Sequence, residues 1–150
     1  MISGCALVVP SNHRTEEYTP VFAAATRGDL AAVRAAVEKD PSLLRATEWE
    51  RATLLHDAVD HKRQEVAKYL LDRGVDANAT TTQGLTPLHM AAQNGDVPMI
   101  ALLLAAGRTT RINPVDARGW TPLDRAVKWK HPEAATFLIA HGAHAGKDAD

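Results

Sequence analysis

Small and apolar residues recur along this chain at helical spacing, in a phrase written four times. Counted from Thr19, Thr53, Thr86 and Thr121, they fall two, five and six positions on, as Val21, Ala24, Ala25; Leu55, Ala58, Val59; Leu88, Ala91, Ala92; and Leu123, Ala126, Val127. An i, i+3, i+4 pattern is one apolar face of a helix. Each copy then carries a second such face: Val33, Ala36, Val37; Ala67, Leu70, Leu71; Ile100, Leu103, Leu104; and Ala135, Leu138, Ile139. The pattern predicts four units of two short helices each, at spacings of 34, 33 and 35 residues. A fixed period of this size is the mark of a repeat architecture.

The residues between the apolar faces fit the same reading. Each threonine stands where a helix N-cap is expected, and Pro20, Pro87 and Pro122 follow at the first helical position, where no N–H is needed. Thr121 with Asp124 has the form of a capping box. Gly28 and Gly95 turn the chain out of the first helix, and Gly74, Gly107 and Gly142 close the second. One unit cannot cover its own apolar sides, so neighbouring units must stack to form a core. Small residues at the alanine positions allow their helices to approach closely.

The third copy, "GLTPLHMAAQNGDVPMIALLLAAG", closely resembles the ankyrin repeat, whose hallmark is T-P-L-H-x-A-A followed by a second helix, a glycine and a hairpin loop. The second copy, "ATLLHDAVDHKRQ", is clearly similar, and the first and fourth resemble the degenerate terminal units of such stacks. The resemblance implies an all-α fold, a solenoid of stacked helix-turn-helix units with hairpin loops. Its units are 18–51, 52–84, 85–119 and 120–145, between an N-terminal extension (1–17) and a C-terminal tail (146–150). It also implies that His56 and His89 hydrogen-bond the motif threonine and nearby backbone. Departures occur at Arg51, Leu54, Lys62 and Lys130. The two lysines replace a turn glycine, which at a left-handed position costs on the order of 1 kcal/mol. Two extra residues lengthen the loop from Gly107 to Gly119, so that hairpin is expected to project or bend differently.

Composition narrows the picture. A 150-residue chain with 45% hydrophobic residues fits one soluble domain, and a formal net charge of −1 gives no overall pull toward nucleic acid or anionic membrane. The single cysteine, Cys5, forms neither an internal disulfide nor a thiolate metal site, which points to a reducing cytoplasm. The apolar run near the start is far shorter than the ~20 residues of a membrane span. Residues 2–5 look like a lipoprotein attachment box without its preceding segment, so lipid anchoring through Cys5 is the alternative if the start is truncated.

By resemblance, such stacks bind other proteins with the hairpin tips and the inner face of the first helices, and most have no catalytic activity. Four units about 10 Å apart give a surface roughly 40 Å long, enough for a standard interface of ~800 Å² per partner. On the inner face the offsets of four, seven and eight residues from each threonine place Ala23, Thr26, Arg27; Asp57, Asp60, His61; Met90, Gln93, Asn94; and Arg125, Lys128, Trp129. The expected groove is negative at Asp57 and Asp60 and positive at Arg125 and Lys128, with Arg118 and Lys130 beside the latter. Trp49 near a hairpin tip, Trp120 before a motif threonine and Trp129 at a helix end are candidate anchors, since exposed aromatics are common contacts; Trp120 serves equally well as a loop brace.

Two rival chemistries have some footing in the sequence. His61 beside Asp57 and Asp60 is the best acid–base candidate, but no nucleophile, oxyanion motif or ligand set accompanies it. The basic stretch "ARGWTPLDRAVKWKH" could touch nucleic acid, yet no basic stripe extends beyond the fourth unit. His141 and His144 have a spacing that chelates weakly if helical, and nothing matches a zinc signature. The expectation is a monomeric, cytoplasmic, non-enzymatic protein-binding module with no cofactor or metal, whose partner is another protein and neither membrane nor nucleic acid.

Overall fold

The computed structural model describes residues 13–106 and 110–146. Cys5, Gly107 and residues 147–150 of the expected tail lie outside them. Four antiparallel helix pairs follow one another: α1 (His13–Arg27) with α2 (Leu30–Lys39), α3 (Leu54–Asp60) with α4 (Gln64–Asp72), α5 (Pro87–Gln93) with α6 (Val97–Ala106), and α7 (Pro122–Lys128) with α8 (Pro132–Ala140). Helix α3 packs between α1 and α5, and α5 in turn against α7; α4 and α6 continue the outer row from α2 to α8. The result is a two-layered stack of helices. Among the described residues β pairing is confined to an isolated bridge, Thr47 to Thr53.

The threonine motif closes the first turn of three units. The Thr53 side chain accepts from His56 N–H, and His56 in return receives the Thr53 N–H at Nδ1, 3.1 Å away. Thr86 with His89 and Thr121 with Asp124 repeat this reciprocal cap. Because a backbone N–H can only donate, Nδ1 of each histidine is unprotonated and the proton sits on Nε2. That Nε2–H then donates to the hairpin of the following unit, His56 to the Leu85 carbonyl at 3.0 Å and His89 to the Trp120 carbonyl at 2.9 Å. A local cap is thereby also the bond between neighbours. Both imidazoles are fully buried.

In the fourth unit the histidine position holds a pure acceptor, Asp124, instead. Asp124 Oδ2 receives the Gly146 N–H at 2.7 Å, while Thr121 Oγ1 reaches the His144 carbonyl at 2.9 Å. A β-carbon at Gly146 would run into the carbonyl oxygen of Gly119, so only glycine lets the chain pass so close. Residues 144–146 thus occupy the place of a following hairpin.

The first unit differs from expectation. Helix α1 starts at His13, inside the segment expected as an extension, and runs through Thr19, so Thr19 does not begin it; Pro20 lies within the helix.

The core follows the two apolar faces, with one correction at the far end. At the position six after the threonine, Ala25, Val59 and Ala92 are wholly buried, but Val127 is 62% exposed. Eighteen after, Val37 and Leu71 are buried and Ile139 is exposed. Both positions face the next unit, and among the described residues none packs on that side of α7 and α8.

Lys62 and Lys130 take the left-handed backbone expected of them, φ 58° and 63°, as do Glu50 and Arg51 at the first hairpin tip, φ 56° and 65°. Successive tips are joined by Thr82 N–H to the Glu50 carbonyl (2.8 Å) and Ala117 N–H to the Gln83 carbonyl (2.9 Å). The hairpins therefore form a continuous ridge beside α3, α5 and α7.

Candidate functional site

Each hairpin closes through one backbone bond, from Glu48, Thr81 and Asp116 to the residue four positions on. Those three residues stand five before a motif threonine, and Asp57, Met90 and Arg125 stand four after one. Each hairpin, which ends one unit, and the inner helix of the next thus form a slot with the same register three times, and each slot is assigned to the unit of its helix.

In the fourth unit the slot is closed by opposite charges. Arg125 sends Nε and Nη2 to Asp116 Oδ2 at 2.9 and 2.6 Å, and Nη1 to Gln93 Oε1 of the third unit at 2.5 Å. Asp116 Oδ1 accepts the N–H groups of Arg118 (2.8 Å) and Trp120 (3.1 Å), which shapes the hairpin. Burial raises the proton affinity of Asp116, but the Arg125 guanidinium and those two N–H donors outweigh it and hold the carboxyl below its ordinary range. Arg125, expected on the open face, is buried and neutralised. Its side chain is a bracket between units and leaves little free positive charge.

Around that bracket the aromatic residues are ordered. The Trp120 and Trp129 rings meet edge to face, 6.2 Å apart at 73°. The Arg125 guanidinium lies 5.8 Å from the first ring centre and 5.4 Å from the second. Arg118 and Lys128 also approach Trp120, at 5.5 and 6.0 Å. Such contacts are worth ~0.5–1 kcal/mol each when exposed and more when desolvated. Trp129 is 40% exposed and Trp120 half-buried. Arg118 and Lys128 are exposed and form no ion pair among the described residues.

In the second unit the same slot holds two acids. Asp57, also expected to be exposed, is buried, and no donor group of the chain reaches its Oδ2. Burial first, then the Glu48 carboxyl beside it, then Asp60, push the Asp57 carboxyl up to about 8. At neutral pH Asp57 is mostly protonated, so the expected negative end of the groove rests on Asp60 and Glu48. Asp60 is exposed and is tied to the third unit by Asn94 Nδ2, which donates to its carbonyl at 3.2 Å. Met90 and Gln93 are half-buried between the charged ends. Trp49, beside Glu48 at the tip, is 83% exposed.

The acid–base constellation does not assemble. His61 Nδ1 binds the main-chain carbonyl of Asp57 at 3.0 Å, and neither Asp57 nor Asp60 orients its ring through a carboxylate. His141 stacks on Phe137 and bonds its carbonyl, while His144 Nδ1 lies near the Ala145 carbonyl, so the two do not act together. Among the described residues no group of three metal-capable side chains comes together, and no helix is long and apolar enough to cross a membrane.

Sequence spacing located the inner-face residues but missed Asp116 and Glu48. A signal for both was present, since each stands at the same offset before its threonine.

Stacked helix pairs, reciprocal threonine caps and a ridge of bonded hairpins define a solenoid repeat protein with one open face. A family model described as ankyrin repeats (3 copies) matches residues 3–81 and 73–149. The chain belongs to the ankyrin-repeat family. It is 33% identical over 124 residues to a probable 26S proteasome regulatory subunit p28 of Saccharomyces cerevisiae, covering 81% of this chain and 54% of that protein. It is 33% identical over 132 residues to ankyrin repeat protein nuc-2 of Neurospora crassa (85% and 12%), and 30% identical over 103 residues to a RelA-associated inhibitor of Mus musculus (69% and 12%). The chain thus spans about half the length of the first of these relatives and far less of the other two.

Proposed function

We propose that this chain is a non-catalytic protein-binding module, an adaptor or inhibitor. It grips its partner with the inner helix face and hairpin tips, centred on Trp120, Trp129, Arg118 and Lys128 in the fourth unit, with Trp49 as a second anchor. The observation that carries the reading is the Arg125 guanidinium held against two indoles, which meet edge to face, by Asp116 and Gln93. Aromatic residues already fixed in place lose little freedom on binding, which is how a few anchors come to dominate an interface. The names of the relatives, a proteasome subunit and an inhibitor associated with RelA, support work done through contact with other proteins. Action as a monomer in the cytoplasm is part of the proposal; analytical ultracentrifugation tests the first and fractionation the second.

The decisive experiment is affinity capture of a partner, followed by measured binding to that purified partner. Trp49→Ala combined with Trp129→Ala is expected to weaken binding at least tenfold, about 1.4 kcal/mol, with helical content unchanged. Unchanged affinity would remove the aromatic anchors from the proposal. The nucleic-acid alternative loses support because Arg125 is already paired, leaving Arg118, Lys128 and Lys130 as an isolated cationic patch.

A further inference from the structure

We propose that the slot between Glu48 and Asp57 is a receptor for a guanidinium group presented by the partner protein, an arginine side chain that completes in the second unit what Arg125 completes in the fourth. This deepens the binding-module reading and rests on it.

The argument comes from comparing one slot across three units. In the fourth, a hairpin acid (Asp116) meets a helix guanidinium (Arg125), which also takes an acceptor from the preceding unit (Gln93). In the third the slot is uncharged: the Thr81 hydroxyl serves the N–H groups of Gln83 and Leu85 at 3.3 Å each, and Met90 stands at the helix position. In the second, Glu48 and Asp57 place two acids where the fourth unit has an acid and a base. The preceding-unit acceptor is kept in kind, because Thr26 stands seven after its threonine, as Gln93 does. Its hydroxyl donates to the Ala23 carbonyl at 2.8 Å, leaving the oxygen lone pairs to accept. The acceptors are therefore present in the second unit and the donor is missing.

Asp57 itself points to a ligand. The residue is only 9% exposed, and its Oδ2 is enclosed beside the Glu48 carboxyl, with a shared proton as the link between the two acids and no donor group of the chain reaching it. Neither neighbour in its column can supply a donor, since the equivalent residues are Ala23 and Met90. A buried carboxyl left in this state is destabilising, and a cation brought to it gains charge-assisted hydrogen bonds in a partly dry site. The raised proton affinity of Asp57 is the same deficit expressed as titration, a proton standing in for the missing cation.

A guanidinium suits the slot better than a metal ion. The fourth unit fills its slot with one, the planar fork engages two acceptor groups at once, and no three metal-capable side chains are grouped among the described residues. The exposed indole of Trp49 beside Glu48 and the exposed carboxylate of Asp60 offer an entering arginine a ring face and an attractive charge.

The test uses L-argininamide as the probe and the side-chain carboxyl carbon resonances of Glu48 and Asp57 as the readout, at constant ionic strength, with glycinamide and calcium chloride as parallel titrants. Argininamide is expected to shift both resonances saturably, with a Kd on the order of 10 mM as befits a single small fragment. The response disappears in Asp57→Asn, whose amide spectrum reports an intact fold. A linear response, one equal to that of glycinamide, one that persists in Asp57→Asn, or tighter saturation by calcium would overturn the receptor. Asp57→Arg supplies the missing donor from within the chain and is expected to raise the melting temperature and abolish the argininamide response; a lowered melting temperature counts against the equivalence of the slots. If argininamide fails while partner capture is still lost in Trp129→Ala, the guanidinium receptor falls and the binding module stands.

Discussion

Arg125 and Asp116 are joined inside the fourth unit by two guanidinium nitrogens converging on a single carboxylate oxygen, Oδ2, at 2.9 and 2.6 Å. Both side chains are almost completely buried, 8% and 0% exposed. A residue that sequence offsets place on a binding face is therefore a structural tie, and the aromatic surface around it depends on that tie.

Removing one partner of a buried pair leaves the other charge uncompensated. Asp116→Asn strands the Arg125 guanidinium, with an expected cost of about 3–5 kcal/mol. Arg125→Met leaves Asp116 its two backbone donors and is expected to cost less, ~1–2 kcal/mol. Urea unfolding of the two variants checks the order, and an equal or reversed order would contradict the bracket role.

Asp57 links stability to pH in an unusual direction. Its folded pKa of about 8 lies above the ordinary 3.8, so the folded state holds a proton that the unfolded state has released. Stability therefore falls as pH rises from about 4 to 8, then levels. Asp57→Asn is expected to gain on the parent protein across that window, reaching roughly 1–3 kcal/mol at pH 8 once solvent screening is allowed for. A stability difference that does not vary with pH would show that Asp57 is ionised throughout.

His56 and His89 act oppositely. Burial is the largest influence on each and holds its pKa below 6.5. The unfolded chain binds these protons more readily, so stability is lost as pH falls below 6.5 toward the folded pKa values. In the Asp57→Asn background, which removes the opposing contribution of Asp57, this loss toward acid pH is seen by itself. Histidine ring titration by NMR should find both rings titrating below 6.5 in the folded protein; protonation at or above 6.5 would refute the Nε2–H donor role.

The left-handed turn positions give a paired test of opposite sign. Lys62→Gly and Lys130→Gly relieve positive φ at residues that are otherwise exposed and should each stabilise by about 1 kcal/mol. Gly95→Ala should destabilise, because φ is 65° and the new β-carbon would stand 2.5 Å from Nδ1 of the His131 ring. Melting temperatures decide both, and a stabilising Gly95→Ala would contradict the packing.

The amino-acid sequence by itself determined the units, their capped first helices and the left-handed turns at Lys62 and Lys130. Each of these is fixed by residues within one or two turns of helix, and the same local chemistry is repeated with little change. Tertiary structure alone decided which copy of a position is open. Val127 shares its offset with Ala25, Val59 and Ala92 but is left exposed, with none of the described units covering it. Asp57 and Arg125 share an offset as well, yet one is left without a donor and the other is matched to Asp116 and Gln93. Helix α1 extends back to His13 and carries Thr19 and Pro20 within it, where the later units begin their first helix at the threonine. Periodicity records which way a side chain faces along its own helix; burial and pairing depend on what a neighbouring unit supplies across the gap, and that is set only when the units stack.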